Sequence, residues 1–178
     1  MGVTRRAAAL AVVAASLLGC TDPPVASVDP AAVPSASLVA RGEEPATGPV
    51  VELGSGSTLG VGWRYSIYQS DGGWCRQLET ASAARVGCGD PLPSGDAAFG
   101  GIGSTESGPW EGIVSAETAT VWLVNGRTSA RVPAQMLSLE DAGLEGQAFV
   151  GFAPEELEVT HLLAVAGNGE ILETFELP

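Results

Sequence analysis

The segment from residue 49 to residue 178 has a hydrophobic period of two. Its clearest stretch, residues 59–67, alternates the apolar Leu59, Val61, Trp63, Tyr65 and Ile67 with the small or polar Gly60, Gly62, Arg64 and Ser66. This is the period of a β-strand with one buried and one exposed face. The segment is therefore predicted to fold as β-structure.

Turn signals separate further strands. Asp71-Gly72-Gly73 is predicted to be a hairpin turn into a strand over 74–80. Asn125-Gly126 lies between candidate strands at 121–124 and 128–132, and its residues tolerate the positive φ angles of a type I′ turn. A second pair, Asn168-Gly169, lies between candidate strands at 159–165 and 171–175. Both pairs predict hairpins.

The remaining segments complete an all-β pattern. Residues 111–114 and 149–152 are candidate strands, residues 135–145 are predicted to hold one short helical turn, and residues 89–109 are predicted to be a loop. About seven to eight short strands in one domain favour an antiparallel β-sandwich of the immunoglobulin-like or a related type.

The amino terminus has the pattern of an export signal. Arg5 and Arg6 precede an uninterrupted run of Ala, Val, Leu and Ser that ends at Gly19 and is too short to span a bilayer. Leu17-Leu18-Gly19-Cys20 resembles the lipobox of bacterial lipoproteins, which implies cleavage before Cys20 and a diacylglyceryl group on its thiol. An ordinary secretory signal with a chance cysteine is the alternative.

Three regions follow from this pattern. Residues 1–19 are predicted to be the signal peptide, and residues 20–48, rich in Ala, Pro and Ser, are predicted to be a disordered tether. Residues 49–178 hold every Trp, Tyr and Phe of the chain and are predicted to form one domain. The protein is expected at the extracytoplasmic face of a cell membrane, with the lipid on Cys20 as its anchor.

The cysteine count fits export. Lipidation of Cys20 accounts for the odd thiol, so Cys75 and Cys88 remain to form one structural disulfide in a compartment where disulfides persist. A disulfide closing a loop of this length contributes about 3 kcal/mol in the chain-entropy model. A metal or redox pair is the weaker alternative, because the spacing is not C-x-x-C and no histidine lies nearby.

The charge excludes one class of partner. The chain carries a formal charge of −13 and no lysine, and removal of residues 1–19 deletes two arginines and no acids. Such a protein repels phosphate backbones, so no nucleic-acid partner is expected.

No motif for catalysis or cofactor binding is recognisable. Gly54-Ser55-Gly56-Ser57 and Gly101-Ile102-Gly103-Ser104 match neither a nucleophile elbow nor a phosphate loop, and both are interpreted as flexible glycine loops. His161, the only histidine, is predicted to be half-buried at a sheet margin. We therefore assign no catalytic, cofactor-binding or metal-binding residue.

Two sets of residues are candidates for a binding or catalytic site. The first is the acidic set that could converge near the disulfide loop and bind calcium or act in hydrolysis: Asp71, Glu79, Asp90 and Asp96. The second is the tryptophan set: Trp63, Trp74, Trp110 and Trp122. Tryptophans usually fill the core of a small sandwich, but an exposed one could stack on a sugar or a peptide.

A resemblance extends over most of the domain. It is carried by residues 63–68, 71–75 and 87–89, then by 112–114, 121–126, 149–150 and 168–169. These segments are similar to uncharacterised extracytoplasmic domains of high-GC Gram-positive bacteria. The resemblance implies a disulfide-bonded β-domain outside the membrane and no known activity. Trp74 departs from it, because an aliphatic residue is expected before the first of the two cysteines.

These observations favour a lipid-anchored, non-catalytic binding module for an unidentified protein or cell-envelope partner. A carboxylate-based hydrolase acting on envelope glycans is the competing hypothesis, supported only by the number of acids. A structural envelope protein is the third.

Overall fold

The structure, a computed structural model, describes residues 45–89, 92–93, 95–103 and 108–178. The predicted signal peptide, the lipobox with Cys20 and most of the predicted tether lie outside these residues. Within the described ranges, no helix is long and apolar enough to cross a membrane.

The described residues are almost entirely β-structure. They contain twelve strands and a short 3₁₀ helix over Glu140–Ala142. The strands are β1 (Val51–Thr58), β2 (Val61–Ser70), β3 (Gly73–Thr80), β4 (Ala84–Gly89), β5 (Phe99–Gly103), β6 (Trp110–Val114), β7 (Thr118–Val124), β8 (Arg131–Pro133), β9 (Gln135–Ser138), β10 (Gln147–Gly151), β11 (His161–Ala166) and β12 (Ile171–Glu176). The predicted number of seven to eight strands is therefore too low.

The strands form three antiparallel sheets of four. Sheet 1 has the order β1-β2-β3-β4, sheet 2 the order β5-β6-β10-β9, and sheet 3 the order β12-β11-β7-β8. Sheet 1 is a simple meander, whereas the chain passes back and forth between sheets 2 and 3, contributing two consecutive strands to each in turn. The all-β prediction is confirmed at this level.

Sheet 2 contributes one face to each of two apolar clusters. Phe149 packs with Leu123 and Leu162 of sheet 3, while its neighbour Val150 packs with Tyr65 and Ile67 of sheet 1. Side chains of a strand alternate between its faces, so both faces of β10 and β6 are covered. This explains why β6 is buried at every residue.

The first glycine segment is a strand, so its interpretation as a flexible loop is wrong. Gly54 and Gly56 lie in β1, opposite Tyr65 and Trp63 of β2. A Cβ atom at Gly54 would lie 2.8 Å from a methyl group of Leu137, and one at Gly56 would lie 3.1 Å from the Trp63 ring. Neighbouring side chains fill the space that side chains on β1 would need.

The second glycine segment is also partly a strand. Gly101, Ile102 and Gly103 belong to β5, which forms an edge of sheet 2 and pairs with β6. The predicted loop over 89–109 therefore contains a strand. In sheet 2, β5 has a neighbouring strand on one side only. An edge strand buries less apolar surface than a central strand, which fits the low apolar content of this segment.

The two Asn-Gly hairpins exist, but their turns differ from the prediction. Between β7 and β8 the positive φ angle belongs to Ser129, and Asn125 instead accepts hydrogen bonds from the N–H groups of Arg127 and Thr128. The type I′ turn at Asn125-Gly126 is therefore wrong, because the asparagine side chain closes a longer loop. Between β11 and β12, Gly169 does adopt a positive φ of 88°.

The predicted disulfide is confirmed. Cys75 of β3 lies directly opposite Cys88 of β4, and the two sulfur atoms are bonded. Because β4 is an edge strand with one neighbour in its sheet, this bond fastens the edge of sheet 1.

Candidate functional site

The three described members of the acidic set, Asp71, Glu79 and Asp96, do not converge. Asp71 lies at the β2–β3 turn, whereas Glu79 lies near the other end of β3. Asp96 borders a separate depression with Glu117, and Asp90 is outside the described residues. The described part of the chain contains no group of three or more His, Cys, Asp or Glu residues that could hold a metal ion.

Glu79 is a buried carboxyl group in β3, with its charged and polar neighbours in sheet 1. Its carboxylate accepts a hydrogen bond from Gln77 and lies 3.9 Å from Arg64. Burial raises the pKa of Glu79 above its usual 4.5, Arg64 and the Gln77 hydrogen bond lower it, and Glu52 raises it. This carboxyl lies on the face of sheet 1 opposite Tyr65 and Ile67, away from both cavities described below.

None of the four tryptophans is exposed. Trp63 and Trp110 are buried in the two clusters, as core parity predicts for Trp63. Trp74 and Trp122 are half-buried, and the Arg131 guanidinium covers the Trp122 ring at 4.5 Å from the ring centre. Trp74 packs against the apolar cluster that sheets 1 and 2 share.

His161 lies at the start of β11 and is half-buried, as predicted. Its Nδ1 is 2.7 Å from the Thr160 hydroxyl, and its Nε2 is 3.8 Å from the Glu176 carboxylate. It borders neither of the cavities described below.

A buried charged triad joins sheets 1 and 2. Glu111 of β6 is 2% exposed, and its Oε2 accepts hydrogen bonds from the Tyr65 hydroxyl and the Arg76 Nε, each at 2.9 Å. The Arg76 side chain is 10% exposed. Burying an ion costs several kcal/mol unless it is paired and hydrogen-bonded, so these contacts are what permits Glu111 to lie between the sheets.

Three glycines leave the space that the triad occupies. A Cβ atom at Gly103 would collide with Glu111, and one at Gly101 would collide with the Arg76 guanidinium. Gly87 of β4 lies beside the same guanidinium, where a Cβ atom would be 3.1 Å from Nη2. The glycines of β4 and β5 thus form a cradle for a charged pair.

The triad opens into a cavity of about 430 Å³, which we call the charged cavity. Its polar lining is Arg76, Arg85 and Glu111. Its apolar lining includes Ile102 of β5, Phe175 of β12 and Leu177. A cavity with an apolar wall and a few converging polar groups has the composition of a small-molecule site.

The position of Tyr65 predicts an effect of alkaline pH. Burial raises the pKa of the Tyr65 phenol well above its usual 10.0, the Glu111 charge raises it further, and Arg76 lowers it. The folded state therefore favours the protonated phenol. Its contribution to stability is complete below pH 10 and is lost as the pH rises toward the folded-state pKa, because the unfolded chain releases the proton first.

We expect the stability advantage of the wild type over Tyr65→Phe to shrink by about 1.4 kcal/mol per pH unit above pH 10. Urea denaturation of both proteins between pH 8 and pH 11 measures this difference. A constant difference across that range would show that the phenol titrates normally.

A second cavity, which we call the apolar groove, has a volume of about 570 Å³. Its apolar lining includes Leu59, Val61, Pro109, Phe152 and Pro154, and its two charged residues are Arg85 and Glu155. Arg85 also lines the charged cavity and donates a hydrogen bond to the Pro109 carbonyl. The two cavities therefore share Arg85 in their linings.

The turn at the edge of the groove breaks a local rule. Leu59 and Gly60 form the two-residue turn between β1 and β2 and have φ angles of 51° and 78°. Such a type I′ turn normally carries Asn, Asp or Gly, because other residues are strained by about 1–2 kcal/mol in the left-handed region. Here a leucine occupies the strained position, and it is 61% exposed.

Neither cavity was predicted from the sequence. Arg76 and Glu111 are 35 residues apart, and only the packing of sheet 1 on sheet 2 brings them together. One feature of the sequence could have indicated the buried ion pair. Glu111 follows Trp110 in an otherwise apolar predicted strand, and a carboxylate buried there needs a hydrogen-bonded or charged partner.

Comparisons of the chain with protein-family models, with curated proteins and with solved structures gave no match. The function proposed next therefore depends on the residues and their geometry alone.

Proposed function

We propose that this chain is an extracytoplasmic lipoprotein, anchored through Cys20, whose apolar groove binds an extended apolar segment of a partner polypeptide. It acts as a non-catalytic binding module. The observation that carries the proposal is Leu59, an exposed apolar residue held in a strained turn at the rim of a groove.

The strain at Leu59 supports a binding role. An asparagine at this position would relieve the turn and remove an apolar group from water, so leucine is unfavourable for the isolated domain on both grounds. Local rules are broken in this way mainly at functional sites, where the residue has another task. Val61, 38% exposed, extends the same apolar rim.

Charge identifies the kind of occupant. The groove carries one cation and one anion, Arg85 and Glu155, so it suits a segment without net charge. A second copy of this chain is disfavoured because each copy carries a formal charge of −13. The same charge disfavours an anionic lipid surface.

No observation favours the glycan hydrolase. Glycoside hydrolysis normally needs two carboxyl groups flanking one bond, but Glu111 is the only acid that lines the charged cavity among the described residues. Its carboxylate is already bound by Arg76 and Tyr65. The acidic pairs Asp96 with Glu117 and Glu140 with Glu145 border two other depressions, and all four residues are exposed.

Leu59→Asn tests the proposal. We expect the variant to unfold at higher urea, with a gain of about 0.5–1 kcal/mol from relief of the turn, and to lose peptide binding by at least about tenfold. Peptides selected by the full chain from a random phage-displayed library supply the ligand. Fluorescence anisotropy then gives the dissociation constant for each protein.

Ile171→Asn is the matched control. Ile171 is 58% exposed, nearly as much as Leu59, and it does not line the groove. It should leave peptide affinity unchanged. Equal affinity of wild type and Leu59→Asn, or a library that yields no apolar peptide, would contradict the proposal. A dimer of the chain that Leu59→Asn dissociates would instead assign the groove to a second copy.

The anchor has its own test. Cys20→Ala should release the protein from the membrane or leave its signal unprocessed, because no thiol remains at the lipobox to carry the diacylglyceryl group. Membrane extraction with intact-mass measurement detects either outcome. A variant lacking Cys75 and Cys88 should still be anchored, whereas unchanged extraction and mass of Cys20→Ala would refute lipidation.

We also propose that the fold is a β-sandwich with an added layer. Sheets 1 and 2 would form one sandwich, and sheet 3 would cover the second face of sheet 2. The support is that sheet 2 contributes residues to both apolar clusters.

A further inference from the structure

We infer that the charged cavity binds the carboxylate of a small apolar monocarboxylic acid. This site is separate from the apolar groove, and its ligand differs from the peptide proposed there.

Arg76 and Arg85 keep hydrogen-bond donors that a ligand can use. Arg76 donates through Nε to Glu111, and no described residue accepts a hydrogen bond from its two Nη groups. Arg85 donates through Nη1 to the Pro109 carbonyl, which leaves its other N–H groups for a ligand. Guanidinium groups bind carboxylates with short, charge-assisted and often paired hydrogen bonds.

The charged side chains of the cavity favour an anion. Arg76 and Arg85 supply two positive charges to the cavity, and Glu111 supplies one negative charge. The side chains of the lining therefore carry a net charge of about +1, in a chain whose overall charge is −13. A monoanion balances it, whereas a phosphate dianion would place excess negative charge beside Glu111, which is 2% exposed.

The cavity also has an apolar wall. Ile102, Phe175 and Leu177 present apolar groups to the same cavity. A ligand that only carried a charge would leave this wall in contact with water. An acid with an apolar body covers the wall while its carboxylate meets the arginines, and this combination is typical of small-ligand sites.

The test uses hexanoate, 1-hexanol and inorganic phosphate as probes of the full ¹⁵N-labelled chain. We expect hexanoate to shift the amide signals of Gly87 and Gly103 saturably, with an affinity at least about tenfold above that of 1-hexanol. Inorganic phosphate should bind more weakly than hexanoate. Equal binding of hexanoate and 1-hexanol, tighter binding of phosphate, or no saturable shift below about 10 mM hexanoate would overturn the inference.

Two variants locate the site. Arg85→Gln is chosen because Arg76 is committed to the buried triad, and it should weaken hexanoate binding by about tenfold. Arg127→Gln removes the same charge from a side chain that is 82% exposed and should have no effect. If both variants weakened hexanoate binding equally, the effect would come from the net charge of the protein rather than from Arg85, and the inference would be overturned. Leu59→Asn should bind hexanoate like the wild type, so failure of either proposal is distinguishable from failure of the other.

Discussion

Replacing Glu111 with alanine should lower the free energy of unfolding by about 3–5 kcal/mol, the cost of leaving a buried partner charge uncompensated. Arg76 would keep its charge between sheets 1 and 2 without its acceptor, and the Tyr65 hydroxyl would lose its acceptor as well. Small domains are stable by about 5–15 kcal/mol, so this loss is a large fraction of the total. Urea denaturation followed by tryptophan fluorescence measures it.

Two variants separate the triad from charge in general. Glu117→Ala removes an exposed carboxylate in the β6–β7 turn and should change stability by less than about 0.5 kcal/mol. Arg76→Met with Glu111→Gln removes both charges but keeps an acceptor for Tyr65, and it should recover most of the loss. A cost for Glu111→Ala no greater than that for Glu117→Ala would show that the pair is solvated.

Removing the disulfide should cost about 3 kcal/mol, as expected for a crosslink that closes a short loop. Cys75 and Cys88 are 13 residues apart on neighbouring strands, and their bond holds the edge strand β4 against β3. The double variant Cys75→Ala, Cys88→Ala should therefore unfold at lower urea. Its β4 amides should exchange with solvent faster than those of β2, which lies inside the sheet.

Reduction provides the control for this prediction. Dithiothreitol should lower the stability of the wild type to about that of the double variant and should leave the double variant itself unchanged. Alkylation without reductant should modify neither Cys75 nor Cys88 in the folded protein. A wild type whose denaturation curve does not move when both thiols become free would contradict the role of the disulfide.

The sequence predicted those features that depend on local pattern. Alternation identified β2, and glycine turns identified the hairpins that follow β2 and β11. The disulfide followed from the cysteine count. The strand and turn inferences need only residues that are close in sequence. The disulfide could be inferred because, once Cys20 is assigned to the lipid, only two cysteines remain to pair.

The features that depend on packing could not be predicted. Gly54-Ser55-Gly56-Ser57 has no strand pattern of its own, and it forms a strand because it pairs with β2, while Trp63 and Leu137 fill the space beside its glycines. Leu59 continues the alternation of apolar residues in β2, so the sequence pattern placed it in the strand. The turn was not predicted because it lacks the usual asparagine. The Arg76–Glu111 pair depends on how sheet 1 packs on sheet 2. The hydrophobic period of a strand does not predict which residues of two sheets face each other.

If a partner segment binds in the groove beside Leu59, a chemical-shift map of the labelled chain with a selected peptide will show it. We expect the largest amide shifts on residues that line the groove, such as Gly108, Val61, Ala83 and Ala153. Shifts concentrated on sheet 3 around Ile171, with the groove signals unchanged, would contradict it.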